Sequence, residues 1–434
     1  MEGLVVLDAI LEKLDARDVV MVACVSTRLR SCAFDDSLWR RFCARDFGVS
    51  SPVAPNGEPC FSFKATYELW NESFGMYPLP LVKRTKQCWE GISSWLATNF
   101  PEAKDTLRKG ASEAKLKLVE DTLELKLPMA MRLLYRFCDG QETVPRDTSE
   151  HRHLAPLGIF GGYEFYEHVV NVHLLPLDRV VVETREFEAA LGSVKSKRVI
   201  VAASYYAEKW FFLDSVDGQL YVGSNNVSIN GEAFPCVPHT LIRPRVDATW
   251  DVPQDALLLW LEEYSRRLHS GMIQVRKFRK ARVINLFPEE PPSCSVAITN
   301  GVKVRASTVL VPEVSSATGD YYYAYSIRMS LQPDGCLLDG VYYQSCQLYS
   351  RHWIIKSKDV VVADVNGEGV IGKYPLLLPN GDEFVYESCT PLPASPGFVE
   401  GSFTFVPGRL TKPEGRQFKV QVARFHLEVP EYIF

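Results

Sequence analysis

The sequence predicts a multidomain α+β protein: all-α helices at the N-terminus, a central α+β unit and a C-terminal all-β sandwich. Three observations carry that expectation. Apolar residues recur at helical spacing through the first 75 positions. Helical spacing then gives way to short β-branched runs between residues 85 and 245, and from Cys294 onward apolar and polar residues alternate with period two. The 434 residues suffice for two or three domains of ~100–200 residues each.

At the N-terminus, Leu7, Ile10, Leu11 and Leu14 share one helical face, and Val19, Val22, Ala23 and Ser26 share another, with Asp18 placed to cap the second helix. Leu38, Trp39 and Phe42 form a third face behind Asp35 and Asp36, which suit a helix N-terminus. These large apolar residues exceed what a unit of roughly 45 residues buries against itself. Surplus apolar faces on short helices mean docking onto something else. Residues 49–60 are rich in Pro, Gly and Ser and read as a loop, and Tyr67, Trp70 and Phe74 return to helical spacing. Pro78 and Pro80 read as a stiff connection, with a second unit starting near Thr85.

That unit opens with Trp89, Ile92, Trp95 and Leu96 on one helical face. A helix capped by Ser112 follows, with Leu116, Val119 and Leu123 as its face, then a helix from Met129 that closes at Gly140. Residues 179–182, 198–201 and 210–213 read as strands, and Asp217-Gly218 signals a hairpin to residues 220–222. Residues 252–271 read as one helix, with Pro253 in its first turn, Leu257, Trp260, Leu261 and Leu268 as a stripe, and Gly271 at the C-terminal cap. The basic run 276–282 reads as a solvated connector and the Pro-rich run 287–292 as a domain linker. Beyond it, Tyr323, Tyr325, Ile327, Met329 and Leu331 alternate with more polar residues, Asn300-Gly301 signals a hairpin, and short strands recur between turns.

A net charge of -5 argues against non-specific nucleic-acid binding as the main role. Eleven scattered cysteines without a CxxC pair read as reduced thiols of a cytoplasmic or nuclear protein. No apolar run approaches the ~18 residues of a membrane span. The chemistry is sparse. Residues 367–374 (GEGVIGKY) satisfy a G-x-G-x-x-G and nearly a phosphate-binding P-loop, but Pro375 follows where a helix should start, so the glycines read as a bend. His151, His153, His168 and His173 lack metal-ligand spacing, His352 reads as a hydrogen-bonded sandwich residue, and Glu262-Glu263 as solvated. The expectation is no catalytic constellation, no cofactor and no metal.

Three stretches resemble known families. Ile10-Leu11, Leu14, Asp18-Val19, Val25-Ser26, Leu38-Trp39 and Cys43 resemble the F-box, although Leu4-Val5 stands where Leu-Pro is usual. The resemblance implies docking on a Skp-type adaptor of a cullin-based ubiquitin ligase through Leu4, Leu7, Ile10, Leu11, Leu14, Val25, Ser26, Leu38 and Trp39. Residues 89–95, Leu127-Pro128, 137–141 (FCDGQ) and 158–162 (GIFGG) resemble the SUKH (Smi/Knr-like) superfamily, which implies an interaction module with no fixed chemistry. Residues 323–328 (YAYSIR), 347–353 (QLYSRHW), 367–372, 386–389, Gly397, 401–403 and 425–427 resemble ApaG, implying a fibronectin-type sandwich.

The modules together resemble plant F-box/ApaG proteins. The division expected is F-box 1–48, helical linker 49–84, SUKH-like domain 85–245, connecting helix and linker 246–291, and ApaG domain 292–434. The resemblance implies a non-catalytic substrate receptor of an SCF ubiquitin ligase. Its partners are the adaptor, a cullin and a RING subunit reached through it, and a protein substrate, with neither nucleic acid nor membrane. Tyr321, Tyr322, Tyr349 and Arg351 are the candidate substrate contacts. The alternative is an ApaG-type small-molecule or nucleotide-binding protein regulated through the adaptor contact.

Overall fold

The structure, a computed structural model, describes residues 10–11, 13–142, 156–165, 168–190, 197–205, 209–224, 233–242, 255–278, 281–316 and 319–434. Leu4, Leu7, His151, His153 and Pro253 lie outside the described residues. The chain divides into two compact units: Met1–Ser93 with Met129–Phe137, and Ser94–Pro128 with Cys138–Phe434.

The first unit is helical. Its short helices Ala16–Val22, Thr27–Ala33 and Asp36–Phe42 and the longer Phe63–Phe74 each start at a side chain that satisfies a free backbone N–H. Asp15 accepts from Asp18 N at 2.7 Å, Ser26 from Leu29 N at 3.2 Å, Asp35 from Ser37 N at 2.8 Å and Ser62 from Ala65 N at 3.1 Å. The first cap is thus Asp15, and Asp18, expected as the cap, sits in the first turn where its charge suits the helix dipole. Trp39 lies in the core, its Nε1 donating to Ala33 O at 2.8 Å and its ring edge-on to Phe42 and Tyr67. Leu133, from the distant helix Met129–Phe137, completes that core. Pro78 and Pro80 introduce the continuous helix Leu79–Asn99, rather than a stiff connection, because proline in a first turn gives up no helical hydrogen bond.

The second unit contains a two-stranded sheet, Leu107–Lys109 with Cys138–Gln141, and an eight-stranded sheet in the order Phe234–Pro235, Leu220–Gly223, Trp210–Asp214, Arg198–Ser204, His168–Leu174, Gly162–Phe165, Ala281–Asn285, Gln274–Phe278. Several expectations change here. Residues 179–182 are not a strand: they belong to the helix Leu177–Ala190, whose buried Leu177, Val180, Thr184 and Phe187 follow helical spacing. Helix Met129–Phe137 ends before Gly140, and Cys138–Gln141 is a fully buried strand. Helix Ala256–His269 is capped by Asp255, which accepts from Leu258 N at 3.2 Å, and Gly271 just past its end takes φ +75 as expected. Of the basic run, Arg276, Lys277 and Arg282 lie on the paired strands Gln274–Phe278 and Ala281–Asn285, joined to the sheet where Asn285 pairs with Gly162, and are not a solvated connector. The Pro-rich run that follows is packed: Leu286, Phe287 and Glu289 are buried.

From Cys294 two antiparallel sheets face each other. One holds Cys294–Thr299, Val302–Leu310, Tyr321–Leu331 and Phe384–Leu392; the other holds Val360–Glu368, Cys346–Ser357, Gly397–Arg409 and Phe418–Leu427. Asn300 and Gly301, at φ 52 and 84, turn the first hairpin. Tyr325 of one sheet meets Trp353 and Phe425 of the other at ring distances of 6.5 and 5.9 Å, which locates the core of the sandwich.

Candidate functional site

The helical unit places its sequence-predicted residues in two groups. Leu11, Leu38 and Trp39 are 1, 3 and 2 % exposed, so their side chains face the interior of the unit. Their bulk and aromatic partners explain this: the helix Phe63–Phe74 brings Tyr67 against Trp39 and adds Trp70 to the same core. Ile10 and Val25 are exposed, at 52 and 74 %, and Leu14 is half-buried. Ser26 has its side chain engaged as a helix cap.

Sequence reasoning missed Val20, Met21 and Phe34, which are also exposed. The signal was present. Val19 is buried, so its neighbours Val20 and Met21 must point elsewhere, and a helix with apolar residues on both faces has one face to spare. Arg17, Arg28 and Arg30 are exposed on the helices Ala16–Val22 and Thr27–Ala33, the last donating to Ala23 O at 3.2 Å. Lys64 Nζ stands 3.9 Å from the Phe34 ring centroid.

The sandwich carries a second surface, an open groove of ≈ 550 Å³ lined by Tyr349, Glu368, Tyr374, Val406, Leu410 and Arg416 among others. Of the four tyrosine and arginine candidates only Tyr349 lines it. Arg351 supports the adjoining turn, donating to Gly369 O at 3.2 Å. Tyr321 and Tyr322 are half-buried at the start of their strand, and their neighbour Tyr323 is fully buried with its hydroxyl 3.1 Å from Ser395 Oγ. Tyr374 Oη lies 3.4 Å from Glu368 Oε2, and Arg416 pairs with Asp339 at 2.8 Å.

The glycine run is a tight turn. Gly369 and Gly372 take φ +58 and +71, and a Cβ on Gly369 would lie 2.6 Å from Lys373 O. Strand Leu376–Leu377 follows, so neither phosphate-loop motif has the helix N-terminus it needs. His352 Nε2 meets Asp364 Oδ1 at 2.8 Å. Glu263, expected to be solvated, instead receives Arg266 at 2.7 Å and Arg267 at 2.8 Å, because Glu and Arg three and four residues apart share a helix face. Among the described residues no three His, Cys, Asp or Glu side chains gather as a metal site. No described helix is long and apolar enough to cross a membrane.

Short helices that keep apolar side chains exposed, and a β-sandwich with an open groove, offer surfaces suited to recognition. Comparison with known proteins gives the family. Residues 5–45 match the F-box-like family model and residues 312–407 the ApaG domain model. F-box protein SKIP16 of Arabidopsis thaliana is 51 % identical, the match covering 100 % of this chain and 99 % of that protein. F-box only protein 3 of Homo sapiens is 26 % identical across 98 % of this chain and 81 % of its own length. Protein ApaG of Rhodopseudomonas palustris is 30 % identical over 31 % of this chain and 93 % of its own. A crystal structure of the putative ApaA protein from Bordetella pertussis is 32 % identical, covering 32 % of this chain and 98 % of that one, with a TM-score of 0.25. The chain belongs to the F-box proteins, and carries an ApaG domain in its C-terminal half.

Proposed function

We propose that this chain is the substrate-recognition subunit of an SCF (Skp–cullin–F-box) ubiquitin ligase. One observation carries the reading: the F-box-like segment shares its core with later helices, through Tyr67, Trp70 and Leu133, and still presents Ile10, Val20, Met21, Val25 and Phe34 to solvent. Covering an apolar side chain of this size contributes about 1.5–3 kcal/mol before association costs, so a few of them hold a Skp-type adaptor. The docking face is therefore this outer set, with Leu11, Leu38 and Trp39 as its scaffold. The adaptor in turn engages the cullin and RING subunits, in the cytoplasm or nucleus.

The central SUKH-like region and the ApaG sandwich hold the client protein. The rate gain comes from bringing client and charged ubiquitin enzyme together, not from side-chain chemistry in this subunit. Reconstitution with adaptor, cullin and RING subunits tests the assembly. One complex containing all four chains is expected in size-exclusion chromatography. A chain that co-elutes with the adaptor and never with the cullin contradicts the receptor role.

A further inference from the structure

Strand Val360–Glu368 is the element of the sandwich that core packing explains least. It follows Cys346–Ser357 through the two-residue turn Lys358-Asp359, at φ 46 and 66, and it is the edge of its sheet, with no described strand on its outer side. A sandwich strand ordinarily buries every second residue. Here neither set is covered: Val360, Val361, Val362 and Val365 are 66, 52, 41 and 37 % exposed. Natural edges are commonly blunted by Lys, Pro or bulges. This one has a single register shift, opposite Ile355 and Lys356, and neither Pro nor Lys between residues 360 and 368.

Its charge is one-sided, with Asp359, Glu368 and the exposed Asp364, which meets His352 at 2.8 Å, against Lys358. A second copy of the chain pairing antiparallel about the strand centre would set Asp364 against Asp364, and like charges directly opposed across a ladder repel. A basic strand meets no such penalty. Where the strand ends, Glu368 also lines the groove with Tyr349 and Tyr374, two aromatic rings beside a carboxylate, and the charge of Arg416 in the same lining is paired with Asp339 at 2.8 Å.

We propose that this edge takes up, by strand addition, an extended segment of a client polypeptide in which apolar residues alternate with Lys or Arg. One cationic side chain of that segment enters the groove between Tyr349, Glu368 and Tyr374. Main-chain hydrogen bonds supply affinity, and alternate side chains supply selection. The inference rests on the reading of the sandwich as a client-holding module.

The test titrates peptides as long as the strand, 9 residues, onto the full-length protein by fluorescence anisotropy. The array alternates Val with Lys, Ser or Glu, each beside a copy N-methylated at every second residue. Lys peptides are expected to bind about tenfold or more tighter than Ser peptides, and Glu peptides not at all. N-methylation, or the double substitution Val361→Lys with Asp364→Lys, is expected to weaken Lys-peptide binding by about tenfold or more at an unchanged melting temperature. Binding that ignores charge or N-methylation, or no binding across the array, overturns the inference. So does sedimentation revealing a dimer that the double substitution dissolves, which assigns the edge to a second copy. Adaptor capture, measured on the same preparations, separates the two readings: its loss with peptide binding intact sinks only the receptor role, and the reverse sinks only the edge.

Discussion

Trp39 and Val25 lie 14 positions apart and meet opposite environments, 2 and 74 % exposed. Trp39 fills the core of its unit, with its indole N–H satisfied and two rings against its edge. Trp39→Ala is expected to cost ~3–5 kcal/mol of stability, read from the urea midpoint, because the cavity left behind cannot collapse among three helices. Both residues belong to the F-box resemblance, and residue type alone could not sort them. Sorting needed the packing of Tyr67 and Trp70, which arrive from a later helix.

Glu289 makes the same point for charge. Within a run read as a linker it is 2 % exposed, bonded to Arg276 and held by Arg328 at 2.8 Å. Burial alone would raise its pKa, but Arg276 and Arg328 outweigh burial and hold the carboxyl below the usual glutamate value of 4.5. A carboxyl bound more strongly as the anion in the folded chain stabilises above that value, and the contribution is lost as pH falls through its folded-state pKa. Urea midpoints recorded from neutral pH downward are expected to fall more steeply below 4.5 for the native chain than for Glu289→Gln, which is already weaker at neutral pH. Parallel curves contradict the assignment.

At the scale of elements, helices with a polar cap and a one-sided apolar stripe were legible, as with Ser112 before Glu113–Leu123 and Asp35 before Asp36–Phe42. So were period-two strands such as Tyr321–Leu331 and the hairpin turn at Asn300-Gly301. Leu177–Ala190 was not, because a run of three valines favours strand locally while the helical spacing that wins extends over four turns. The basic run was misread for a related reason. Its two strands have 5 residues each, and Arg282 and Arg276 bond to groups distant in sequence, Glu102 and Glu289. Such pairing leaves no local periodic trace.

At the scale of the whole molecule, the central sheet and the sandwich lie in one compact unit, tied by the last residues of the chain. Trp260 Nε1 donates to Ile433 O at 2.7 Å, and the Phe434 ring packs 5.1 Å from Trp260 and 5.6 Å from Tyr264. Fully buried Lys209 donates to Phe434 O at 2.8 Å and faces Glu313 at 3.7 Å; burial lowers its pKa, against the pull of that carboxylate. Phe434→Ala is therefore expected to weaken this unit by ~3–5 kcal/mol in calorimetry, with central strands and sandwich losing order together. An unchanged transition would mean the last residues do not tie the two.

The most direct test of the central claim is the affinity of the full-length chain for a Skp-type adaptor, measured by titration calorimetry for the native protein and for Met21→Asp with Val25→Asp. Both positions are exposed, so the substitutions are expected to leave stability within about 0.5 kcal/mol and weaken adaptor binding by about a hundredfold or more. Native-strength binding by the double variant, at native stability, would contradict the account.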